Sequence, residues 1–76
     1  MEKSLDRLKV GEWGTVADIC IDQDLERRLQ DFGLVRGTRI CCRYCSPHKD
    51  VTALELRGTV LALRTRDLAG IRVVGL

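Results

Sequence analysis

Apolar and polar side chains alternate with a period that changes along the chain, and seven glycines and one proline mark the changes. Ser4 can cap one helical turn that sets Leu5 and Leu8 on one side. Trp13 to Ile21 is rich in β-branched residues and alternates late, which predicts a strand. Asp22 or Asp24 offers an N-cap for a helix over Leu25 to Phe32. Its apolar stripe is Leu25, Leu29 and Phe32 at i, i+4 and i+7, while Glu26, Arg27, Gln30 and Asp31 face elsewhere. Gly33 stands where a left-handed residue ends such a helix.

The rest of the chain favours strands. Gly37 and Thr38 open one that runs to Cys45 and sets Ile40, Cys42 and Tyr44 on one face. Ser46 to Asp50 holds the proline and forms a loop. Val51 to Leu56 and Thr59 to Leu63 are joined by a tight turn at Arg57-Gly58. Thr65 can cap a short helical turn over Arg66 to Ala69, and Ile71 to Val74 closes as the last strand. Five short strands with one inserted α-helix are too few for two large sheets. Curling one sheet hides its edges. The expectation is a mainly β fold, a small five-stranded SH3-like β-barrel decorated by one helix and short helical turns.

Size sharpens this. Seventy-six residues make one domain, 1–76, which buries roughly 60% of its unfolded surface. Trp13, Phe32 and Tyr44 are the only aromatics, so the core is aliphatic and a large cofactor cavity is not expected. No apolar run approaches the ~20 residues of a membrane helix, and the first residues carry no signal-peptide pattern. The expected compartment is the cytoplasm, with Cys20, Cys41, Cys42 and Cys45 as free thiols. A net charge of +2 does not argue for nucleic acid. Ten of the thirteen basic residues are Arg, the cation favoured at interfaces, although a solvated Arg-rich face explains them equally.

Four ordered blocks then resemble one family. Arg28-Leu29, Gly33-Leu34 and Gly37-Thr38 are similar to the FeoA pattern of Arg-Leu, spacer, Gly-Leu, spacer, Gly-Thr. Gly58 followed by an apolar strand ending in Ala62-Leu63-Arg64 resembles its second signature. Ala69, Ile71 and Val73 match its close, and Leu5 to Gly14 fits its opening. Arg36 stands where the family usually carries proline, and the cysteines at 41, 42 and 45 are not a family feature. The resemblance implies a non-enzymatic accessory of bacterial ferrous iron uptake whose partner is FeoB, a membrane transporter with a cytosolic GTPase domain. It also implies a rival, since the same barrel forms the C-terminal domain of DtxR-type iron-dependent repressors: a stand-alone metal-responsive module. Val35 and Arg36 beyond the helix, with Arg27 on its polar face, are the candidate partner contacts. The alternative reading makes Val35 an ordinary edge-of-core valine.

Chemistry elsewhere is sparse. Cys42 and Cys45 have C-x-x-C spacing and His48 follows. On a regular strand Cys41 and Cys45 lie about 13 Å apart and Cys42 points to the opposite face, unlike a tetrahedral knuckle. Cys41, Cys45 and His48 are therefore weak metal candidates; the alternative makes Cys42 a small core hydrophobe and the others partly exposed thiols. No P-loop, G-x-S-x-G or G-x-G-x-x-G occurs, and a Cys45–His48 pair lacks a third orienting group. Neither an enzyme nor a bound cofactor is expected. Trp13 and Tyr44 could stack on bases, or Trp13 could lid the core; without a basic stripe no nucleic-acid partner is expected. An uncovered sheet edge would permit weak self-association.

Overall fold

A computed structural model describes residues 2–75. Six antiparallel strands form one sheet in the order β1-β6-β2-β3-β4-β5. They are β1 (Glu2–Ser4), β2 (Trp13–Ile19), β3 (Arg39–Cys45), β4 (Val51–Leu56), β5 (Thr59–Arg64) and β6 (Ile71–Val74), with helix α1 (Gln23–Asp31) between β2 and β3. The additional strand is β1, three residues long and too short to display an alternation. It pairs along β6, Glu2 opposite Val74 and Ser4 opposite Arg72.

The sheet wraps because β2 serves two partners. Its first residues pair with β3 and its later ones with β6, across a bulge between Val16 and Asp18 that bends the strand. Closure is completed by packing and not by a ladder. Two 3₁₀ turns, Leu5–Arg7 and Thr65–Leu68, bury Leu5 and Leu68 completely in one core with Val16, Leu34, Ile40, Leu54, Leu56, Ile71 and Val73. The sheet edges β1 and β5 are not hydrogen-bonded to each other. Neither turn is capped as expected: the Ser4 side chain makes no cap bond, and the Thr65 hydroxyl is 2.7 Å from that of Thr52 inside the fold.

Helix α1 starts two residues earlier than its apolar stripe suggests. Asp22 caps it, its carboxylate accepting from the N–H groups of Asp24 (3.1 Å) and Leu25 (3.3 Å). It ends in a Schellman motif: Leu34 N–H donates to Leu29 C=O and Gly33 N–H to Gln30 C=O, with Gly33 at φ +91°. This corrects the stripe. Phe32 is the C-cap and 52% exposed, and Leu34 takes the buried place expected of it.

Strand β3 holds the second departure. A bulge falls between Cys42 and Tyr44, so Cys42 opposes Leu54 while Tyr44 opposes Ala53 and Cys45 opposes Thr52. One extra residue inverts the alternation. Tyr44 turns outward, 53% exposed, and Cys45 joins the face of Cys42.

Candidate partner-binding surface

Residues 33–38 are held tightly. The buried Thr38 hydroxyl donates to the Gly33 carbonyl (2.7 Å) and accepts from Val35 N–H (3.2 Å), and Thr38 N–H returns to the Val35 carbonyl. Gly37, at φ +91°, donates to the Val16 carbonyl, and Val16 N–H donates to Thr38 C=O. Satisfying these groups internally fixes how Val35 and Arg36 are presented.

Val35 is half-buried and Arg36 exposed. With Ile19 of β2 and Glu26 and Gln30 of α1 they line a shallow depression of about 370 Å³. Arg36 is steadied by Asp18, 3.0 Å away, a pair exposed on both sides and so weakly stabilising. Arg27 lines the neighbouring depression with Gln23, Glu26 and Gln30. The fold therefore brings Val35 and Arg36 together and places Arg27 one helical turn aside, across a shared wall of Glu26 and Gln30. Ile19, which lines the depression, was not singled out in the sequence; its position at the end of an alternating strand was the available signal.

The cysteine candidates do not converge. Cys41 is fully buried on the outer face, in register with Trp13 of β2 and Glu55 of β4. It is thus not a partly exposed thiol. Cys45 is half-buried on the inner face, and His48 lies in the exposed turn after β3. Because of the bulge, Cys41 and Cys45 occupy opposite faces, where regular alternation would have placed them together. Among the described residues no group of three or more His, Cys, Asp or Glu is placed to hold a metal ion. Cys42 is a core residue, 0% exposed, and burial pushes its thiol above the usual range despite its contact with the Tyr44 carbonyl. Cys20 is exposed. No helix among the described residues is long and apolar enough to cross a membrane.

Trp13 is neither a lid on the core nor an open stacking platform. Its ring lies on the outer face with two guanidinium groups over it, those of Arg39 and Arg43. Arg43 is also paired with Glu55, which raises its pKa further.

Solved structures with this architecture are numerous. The FeoA protein of Chlorobium tepidum superposes with a TM-score of 0.90 at 32% identity, covering 96% of this chain and 70% of that one. An FeoA-like protein of Clostridium acetobutylicum gives 0.84 at 32% identity, covering 99% and 87%. A manganese-dependent transcriptional repressor gives 0.87, but at 21% identity and over 42% of its own length, a likeness of fold alone. No curated protein sequence matches significantly. The FeoA domain family model matches residues 3–74, nearly the whole described chain, and on that match the chain belongs to the FeoA family.

Proposed function

We propose that this protein is a non-enzymatic cytoplasmic accessory of ferrous iron uptake, acting as one domain over residues 1–76 and docking on the cytosolic, GTPase-bearing part of an FeoB transporter. The observation that carries this reading is the family match over residues 3–74. The described residues supply a surface suited to such work: the depression around Val35 and Arg36, rigidly presented and bordered by Arg27. A small folded body that binds one conformation of a transporter better than another shifts the balance between them without doing chemistry. Val35 provides apolar contact, and Arg36 and Arg27 can meet carboxylates on the partner.

The test is recovery of the co-expressed transporter from solubilised membranes on the tagged protein. Wild type retains it, whereas Val35→Glu combined with Arg36→Asp loses most of it while melting normally. Equal recovery by the variant removes this surface from the proposal, and no recovery by wild type removes the docking itself. A metal-responsive module is the second reading, favoured by the shared fold with a manganese-dependent repressor. Titration with ferrous iron and zinc under reducing conditions decides it: stoichiometric tight binding supports the sensor, and its absence the adaptor.

A further inference from the structure

Strand β5 is an unguarded edge. The other edge, β1, is only three residues long, and short edges resist unwanted pairing. β5 is six residues, Thr59 to Arg64, in unbroken register with β4, and contains no Lys, Pro or bulge. Its hydrogen-bonding phase follows from the turn. Arg57 and Gly58 both have positive φ (50° and 76°), the two-residue hairpin in which the flanking pair, Leu56 and Thr59, exchanges backbone bonds. Alternation then gives Leu61 and Leu63 their bonds to β4 and turns the N–H and C=O groups of Val60, Ala62 and Arg64 away from the sheet. Among the described residues no strand pairs with the outward groups of Val60 and Ala62 or with the Arg64 N–H, whereas the Arg64 carbonyl, at the N-cap of the turn Thr65–Leu68, is taken by that turn.

The space beside them is a cleft. Between the edge and α1 lies a volume of about 460 Å³, with Leu25 and Arg28 on the helix side and Ala62, Leu63 and Arg64 on the strand side. Arg66 and Asp67 close its end, beyond which Lys49 and Asp50 join Arg64 and Arg66 around a further depression. Arg28, Arg64 and Arg66 make no ion pair among the described residues, whereas Arg36, Arg43 and Arg72 each do. Apolar contacts from Leu25, Ala62 and Leu63, outward backbone groups and three guanidinium groups without an ion pair thus lie side by side in a mainly polar cleft that also holds Asp67.

We infer that β5 and α1 form a docking groove for an extended acidic segment of a partner protein, which adds to the sheet as a strand beside β5. Backbone pairing would hold the segment to Val60, Ala62 and Arg64, and its carboxylates would meet Arg28, Arg64 and Arg66. Charge selects this occupant over a second copy of the chain: pairing two β5 edges would gather six of these guanidinium groups around one seam. The groove is separate from the Val35–Arg36 depression and does not depend on the transporter reading.

The probe is a blocked hexapeptide alternating valine and glutamate, followed by backbone amide NMR and fluorescence anisotropy. Saturable binding is expected, with the amides of Val60, Ala62 and Arg64 shifting and exchanging more slowly. Ala62→Pro, which removes an outward N–H at an edge position that tolerates proline, should weaken binding about tenfold or more. Arg64→Glu with Arg66→Glu leaves the backbone untouched and should do the same. A valine–lysine hexapeptide should not bind. The inference is overturned if the acidic peptide fails to shift those amides, if both variants bind it normally, or if β5 instead mediates concentration-dependent self-association.

Discussion

The guanidinium carbon of Arg39 on β3 lies 5.2 Å from the ring centroid of Trp13 on β2, and Arg43, two residues beyond Cys41, approaches the same ring at 5.8 Å. Trp13 is in register with Cys41 on the same face of the sheet, and the Cys41 thiol between Arg39 and Arg43 in sequence has no exposure. The outer face of the sheet thus carries its own buried residue. Trp13→Ala should cost about 1–3 kcal/mol, combining lost cation–π attraction with lost packing. Urea denaturation measures the loss. The second expected effect is that Cys41 becomes reactive in the native state; an unchanged Cys41 would show that Trp13 does not shield it.

The four thiols should separate into two classes. Cys20 and Cys45, exposed and half-buried, should react with an alkylating reagent in the native protein, while Cys41 and Cys42 should react only on unfolding, as resolved by peptide mass spectrometry. Cys42 adds a pH signature. Burial raises its pKa in the folded state, so its contribution to stability is complete below the unfolded thiol pKa and is lost as pH rises through the folded value. Cys42→Ala should therefore show a smaller loss of stability between neutral and alkaline pH than wild type. An identical alkaline profile would contradict the burial account.

How far the sequence disclosed this can be judged on particular residues. Gly33 announced the end of α1 and Arg57-Gly58 the β4–β5 hairpin, because both conformations demand unusual φ angles that few residue types supply. Strand β4 was legible to the residue. Phe32 and Tyr44 were misplaced for one shared reason: periodicity assumes that an element continues, and a cap in one case and a bulge in the other broke the phase just before the aromatic. The bulge carries no composition signal, since Arg43 is an ordinary strand residue. Of the candidate surface, Val35 and Arg36 were found because glycines flank them. Their neighbour Ile19 was not, because its role depends on α1 folding back beside β2.

Two glycines should respond differently to alanine. A Cβ on Gly70 would lie 2.1 Å from the backbone carbonyl oxygen of Cys20, where the two segments are pinned by the Cys20 N–H to Gly70 C=O bond of 2.8 Å. Backbone cannot move aside as a flexible side chain can, so Gly70→Ala should cost at least about 2–3 kcal/mol. Gly58 has open space around its Cα and only its φ of 76° to lose, so Gly58→Ala should cost about 1–2 kcal/mol. Thermal melts of the pair test this; equal losses would mean that conformation, and not contact, governs both sites.

Glu12 gives an acid-side prediction. Its carboxylate accepts from the Lys9 backbone N–H at 2.9 Å and from the Lys3 ammonium at 3.1 Å, and these bonds, the backbone one foremost, hold its pKa below the ordinary carboxylate value. A depressed folded pKa contributes stability that is present above the unfolded value and disappears as pH falls through the folded one. Glu12→Gln retains an acceptor for Lys9 but carries no charge for Lys3. Wild type should therefore exceed the variant in urea midpoint at pH 7, and the difference should close as the pH is lowered past the range in which Glu12 protonates. Salt should shrink the gap at pH 7, because the pair is only partly shielded from solvent. A gap that persists unchanged at low pH would mean that glutamine disturbs the turn itself, and the charge on Glu12 would then have no part in holding β1 to the loop before β2.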